Sequence, residues 1–188
     1  LNVITSHLEK ELELLRSAKN IGIDVKYIEL GNEVYAENLL TKHIYPTVDN
    51  YIDTCISWSK AILKEFPDAH IGVVGGDRNR RTRNWNEKLS SALERSFSQS
   101  KLNQFHFILH YYSHFKNPKY DFETSLGYKK LIAYPKVDLE FRLRNWRWNN
   151  TSAFSTWLTE YNMIEQQPYS INNKWAHGLL VASQINEL

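Results

Sequence analysis

Two glutamates, Glu33 and Glu160, each follow a short apolar run and each has an asparagine beside it or close by. Their contexts are Val25-Lys26-Tyr27-Ile28-Glu29-Leu30-Gly31-Asn32-Glu33 and Phe154-Ser155-Thr156-Trp157-Leu158-Thr159-Glu160-Tyr161-Asn162. Both runs read as strands that deliver a carboxylate to a rim, and two carboxylates staged in this way suit sugar chemistry. Cleaving a glycosidic bond builds positive charge at the anomeric carbon and negative charge on the departing oxygen, so one site must hold an ionised and a protonated carboxyl. One carboxylate attacks the carbon, while the other protonates the leaving group and later activates water. Asn32 brings a carboxamide, donor and acceptor at once, for the sugar hydroxyl next to the reacting carbon. Taken singly, either glutamate reads as a solvated loop residue or an ion-pair partner, the usual fate of a carboxylate. Their joint context points to a site.

At these residues the chain resembles the large clan of retaining glycoside hydrolases built on a (β/α)8 barrel. In that clan an Asn-Glu pair ends the fourth strand and supplies the acid/base, and a Glu ends the seventh and supplies the nucleophile. Asn32-Glu33 and Glu160 match those places. A third run, Phe105-His106-Phe107-Ile108-Leu109-His110-Tyr111-Tyr112, reads as the sixth strand, where the α-L-arabinofuranosidase-like branch carries a His-x-Tyr. The resemblance implies that Tyr112 hydrogen-bonds the nucleophile and that His110 lines the sugar site. Many clan members have Pro after the acid/base, whereas Val34 follows here, which favours the arabinofuranosidase-like branch over the cellulase-like families. The implied protein is an O-glycosyl hydrolase of plant-type or other polysaccharides or oligosaccharides. The alternative from another class is a non-catalytic carbohydrate-binding barrel.

The elements needed to position these groups follow in order. The expected fold is α/β, a partial TIM barrel running from strand four to the helix after strand seven. The chain has 188 residues, whereas a complete barrel takes about 250. It opens at Leu1 on a helix already in progress, Leu8 to Leu15, so residues 1–188 read as a segment of one catalytic domain. On this reading the remaining strands lie outside the chain, and the segment alone is expected to be inactive. After the first strand an apolar stripe of Ile52, Cys55, Ile56, Ala61, Ile62 and Phe66 predicts a long helix over 48–66. His70 to Gly75 is nearly continuous in apolar residues, as a strand covered on both faces should be. Residues 86–97 predict the next helix. The stretch from Ser113 to Asn150 must hold the sixth helix, with the surplus shaping the cleft rim. A last helix starts near Trp175.

Six Trp and eleven Tyr supply flat faces for sugar rings, with Trp157 the nearest to a candidate acid and Trp85, Trp146 and Trp148 further rim candidates. Each reads equally as core. The formal charge of +2 is too small to imply a nucleic-acid surface, although Arg78, Arg80, Arg81 and Arg83 cluster in one loop. Gly75-Gly76 lacks the spacing of a phosphate-binding loop, so no nucleotide cofactor is expected. No metal is expected either, because His106, His110 and His114 fall every four residues in a run that reads as strand, and no His-Glu-x-x-His occurs. The single cysteine, Cys55, sits on an apolar helix face and reads as a buried, inert thiol. No run approaches the ~20 apolar residues of a membrane span, and no secretion signal is visible. Sugar identity, oligomeric state and location are left open.

Overall fold

The computed structural model describes residues 1–76, 84–115, 125–146, 154–165 and 175–186. Among them seven helices and four strands alternate: α1 (Leu8–Asn20), β1 (Tyr27–Leu30), α2 (Leu39–Ile44), α3 (Val48–Glu65), β2 (His70–Val74), α4 (Trp85–Ser96), α5 (Gln99–Leu102), β3 (Phe105–Phe115), α6 (Ser125–Trp146), β4 (Ser155–Glu165) and α7 (Trp175–Asn186). The chain divides into two compact units, residues 1–109 with 147–157 and residues 110–146 with 158–188.

In the first unit the strands form a parallel sheet in the order β1-β2-β3-β4, the arrangement that helical crossovers between successive strands produce. Tyr27 pairs with His70 and Leu30 with Val73, while Ile71 pairs with Phe105 and Val74 with Ile108. Leu1 flanks the outer side of β1: its nitrogen donates to Glu29 O at 2.6 Å and its carbonyl accepts from Gly31 N at 3.1 Å. That pattern is a parallel bridge around Leu30.

Helix α3 begins where the Thr47 and Asn50 side chains close a capping box, which satisfies donors at its open end. Its buried stripe is Tyr51, Ile52, Cys55, Trp58, Ser59, Ile62 and Leu63. Ile56 and Ala61, expected in that stripe, lie at its half-buried border. Tyr51 and Trp85 stack with centroids 5.6 Å apart, joining α3 to α4 in the core. Gly72 leaves β2 no side chain where Ile108 Cδ1 and Trp157 Cε3 would stand 2.8 and 3.0 Å from a Cβ.

The second unit holds the later halves of β3 and β4 with α6 and α7. Helix α6 is 22 residues long and runs through Pro135. Proline removes a helical donor, and side chains serve carbonyls on this stretch: the Tyr111 hydroxyl donates to Pro135 O at 3.1 Å and the Ser183 hydroxyl to Ile132 O. The sixth helix therefore takes most of the Ser113 to Asn150 stretch. Residues 116–124, expected to shape the rim, lie outside the described residues.

Candidate active site

Glu33 does not end β1 but stands three residues beyond it, in a turn that the backbone has to force. Gly31 has φ +93°, and Glu33 itself has φ +41°, the only non-glycine among the described residues on that side of the map. A left-handed conformation costs an L-residue about 1–2 kcal/mol, which neighbouring contacts must offset. Here the neighbours are close. A Cβ on Gly31 would meet Val3 Cγ2 at 2.8 Å and Val34 Cγ1 at 2.9 Å, Val34 is fully buried, and Glu33 O accepts from Ala36 N at 2.7 Å. The half-buried Glu33 and exposed Asn32 are thus carried on a fixed backbone rather than a loose loop.

The supports of this turn come from the helices. Tyr51, fully buried, donates its hydroxyl to Leu30 O at 2.6 Å and accepts from Val74 N at 2.8 Å, tying the ends of β1 and β2 together. Burial pushes its phenol well above the usual range, so it stays a neutral donor and acceptor. Trp85 donates its indole N–H to Val74 O at 2.9 Å, and the buried Asn86 carboxamide brackets Gly76, accepting from its N at 2.8 Å and donating to its O at 3.3 Å. Trp85, considered above for the rim, is therefore a core residue at 1 % exposure.

In the second unit Glu160 lies in the interior of β4, with five residues of strand beyond it, rather than at the strand's end. Tyr112 donates its hydroxyl to Glu160 Oε2 at 2.7 Å, and His110 Nδ1 stands 3.5 Å from the same oxygen. The His110 side chain is only 4 % exposed while that of Glu160 is 38 % exposed. The arrangement is an accessible carboxylate held on one oxygen by a phenol, with an imidazole walled in beside it. A carboxylate so fixed can act as a nucleophile or as an electrostatic stabiliser. His110 and Glu160 also offer the kind of atoms that a divalent metal accepts.

Trp157 sits in the first unit, where its ring stacks on His106 with centroids 4.2 Å apart and meets Tyr27 edge-on at 5.6 Å. One of its faces is thus occupied. His106 also bonds to Ser155 and, at 2.8 Å, to His70. His177, near the start of α7, approaches Asn162 Oδ1 at 3.4 Å. Arg78, Arg80, Arg81, Arg83 and Trp148 lie outside the described residues, and Trp146 ends α6.

The residues not singled out from sequence are Tyr51 and Asn86. Tyr51 was legible as the first member of the spacing 51, 55, 58, 62, a helical apolar face that runs Tyr, Cys, Trp, Ile. Asn86 carried no such signal, because its role depends on where Gly76 ends up. Compared with protein-family models and with curated proteins, the chain matches none. No described helix is long and apolar enough to cross a membrane.

Proposed function

We propose that this chain forms part of a (β/α)8-barrel glycoside hydrolase that cleaves O-glycosidic bonds with retention of configuration. The observation that carries the reading is the Tyr112 hydroxyl bonded to Glu160 Oε2 at 2.7 Å with His110 alongside, the contact that the resemblance implies for a nucleophile and its partners. The parallel α/β sheet and the bridge that Leu1 makes to β1 suit strands of such a barrel.

In this mechanism Glu160 attacks the anomeric carbon as Glu33 protonates the departing oxygen, giving a covalent glycosyl-enzyme; Glu33 then takes a proton from water, which displaces Glu160. Tyr112 holds Oε2, beside which His110 stands, so Oε1 is assigned as the attacking oxygen. Asn32 receives the neighbouring hydroxyl, and Trp157 adds aromatic surface for the sugar. An α-L-arabinofuranoside or a related hemicellulose unit is the substrate class closest to the resemblance.

The test is turnover of aryl arabinofuranosides, xylosides, glucosides and glucuronides by the full-length protein and its Glu33→Ala and Glu160→Ala variants. Turnover of one sugar, lost by several orders of magnitude in Glu160→Ala while binding persists, is expected. Sugar binding with no turnover by the unaltered protein would leave the carbohydrate-binding alternative in its place. Because no metal step is involved, EDTA should leave the rate unchanged; a loss restored by a divalent ion would instead make His110 and Glu160 metal ligands.

A further inference from the structure

We propose that Tyr51 is a positioning residue for Glu33, setting from inside the core the strained turn that presents the carboxylate. The inference rests on the reading of Glu33 as the acid/base. Its physical basis is independent of that reading.

Left-handed backbone at two of three successive positions persists only where the surroundings over-determine it. The turn at Gly31 and Glu33 starts from Leu30, and Leu30 O takes the Tyr51 hydroxyl at 2.6 Å. The same oxygen of Tyr51 accepts from Val74 N at 2.8 Å, so a single atom fixes the end of β1 against the end of β2. The ring beneath it is locked by the stack on Trp85, whose indole holds Val74 O at 2.9 Å. Removing the hydroxyl leaves Leu30 O and Val74 N buried and short of a partner, and the nearest relief is rotation of the peptide that leads into Gly31. Glu33 would move with it. A displacement of about 1 Å at a reacting group can cost on the order of a hundredfold in rate.

Tyr51→Phe in the full-length protein tests this, with Gln104→Leu as the comparison. Gln104 donates to Pro67 O at 2.8 Å and Ala69 O at 2.9 Å at the opposite end of the sheet, so its loss weakens the same fold without touching the turn. Expected for Tyr51→Phe are amide exchange at Gly31 to Val34 faster by about tenfold or more, and kcat lower by about tenfold to a hundredfold at unchanged KM. Gln104→Leu should change neither. Unaltered exchange at Gly31 to Val34 overturns the proposal, as does a loosened turn with kcat intact. Should the unaltered protein hydrolyse no glycoside, the functional reading fails by itself, and the exchange measurement still decides whether Tyr51 sets the turn. If Tyr51→Phe does not fold, 3-fluorotyrosine at position 51 keeps the hydroxyl and nearly the same size while making it a stronger donor to Leu30 O and a weaker acceptor from Val74 N; exchange and kcat that both stay unchanged then refute the role.

Discussion

Glu160 and its partners show how alternation along a strand gathers side chains about one carboxylate. His110 and Tyr112 are two residues apart on β3, so they point the same way, and both reach Oε2 of one carboxylate. Tyr112→Phe should therefore lower kcat by about tenfold to a hundredfold with little change in folding stability, measured as steady-state kinetics beside a urea titration. A rate equal to that of the unaltered protein would deny Tyr112 any part in the reaction. Two other side chains give stability-side predictions. Burial pushes the Cys55 thiol up to about 12, so a thiol reagent at pH 8 should label it only as fast as the protein unfolds; rapid labelling in native buffer would place it elsewhere. Burial, and then the charge of His70, lowers His106 to about 4. An unfolded imidazole takes a proton near about 6.5, so the unfolded chain binds more protons between those values. The contribution is complete above about 6.5 and is lost as pH falls toward 4. Urea midpoints measured from pH 7.5 down to 4.5 should fall less steeply in His106→Gln than in the unaltered protein, and equal slopes would rule the group out as the source.

At the scale of elements, the strands were the most legible part. Ile71 to Val74 is a nearly continuous apolar run closed by Gly75-Gly76, and Phe105 to Tyr112 is rich in aromatic and branched residues, so both read as strands, although β3 runs on to Phe115. Helix α3 was legible by its stripe, although the buried line is turned toward Tyr51, Trp58 and Leu63 because two aromatic rings fill more of the core than Ile56 and Ala61 could. Helix α6 was legible only in part. Pro135 carries no helix signal of its own, yet the helix continues through it, with the Tyr111 and Ser183 hydroxyls donating to Pro135 O and Ile132 O. The turn at Glu33 was not legible at all: a positive φ on a glutamate has no local signature and follows from Val3, Val34 and Tyr51 around it. Gly72 carries a prediction of its own. Gly72→Ala should destabilise the protein by about 1–3 kcal/mol in denaturant titrations, since the added methyl meets Ile108 and Trp157 in a packed layer. A change below about 0.5 kcal/mol would mean that the layer yields easily.

The whole molecule is an α/β chain whose strands run through two compact units, with Glu33 carried by one unit and His110, Tyr112 and Glu160 by the other. Sequence reasoning reached the alternation of strands and helices and the grouping of Tyr112 and His110 about Glu160. It did not reach the clasp of Tyr51, Trp85 and Asn86, because hydrogen bonds from helices to strand ends depend on tertiary placement. A glycosidase of the proposed kind must pass through a covalent ester at Glu160, and that ester is the most direct witness to the account. The full-length protein, incubated with 2-deoxy-2-fluoro glycosides whose second step is slow, should gain the mass of one glycosyl group, and peptide mapping should place it on Glu160 and find none in Glu160→Gln. Turnover of the parent glycoside with no adduct on Glu160, or with the adduct on another residue, would contradict the assignment.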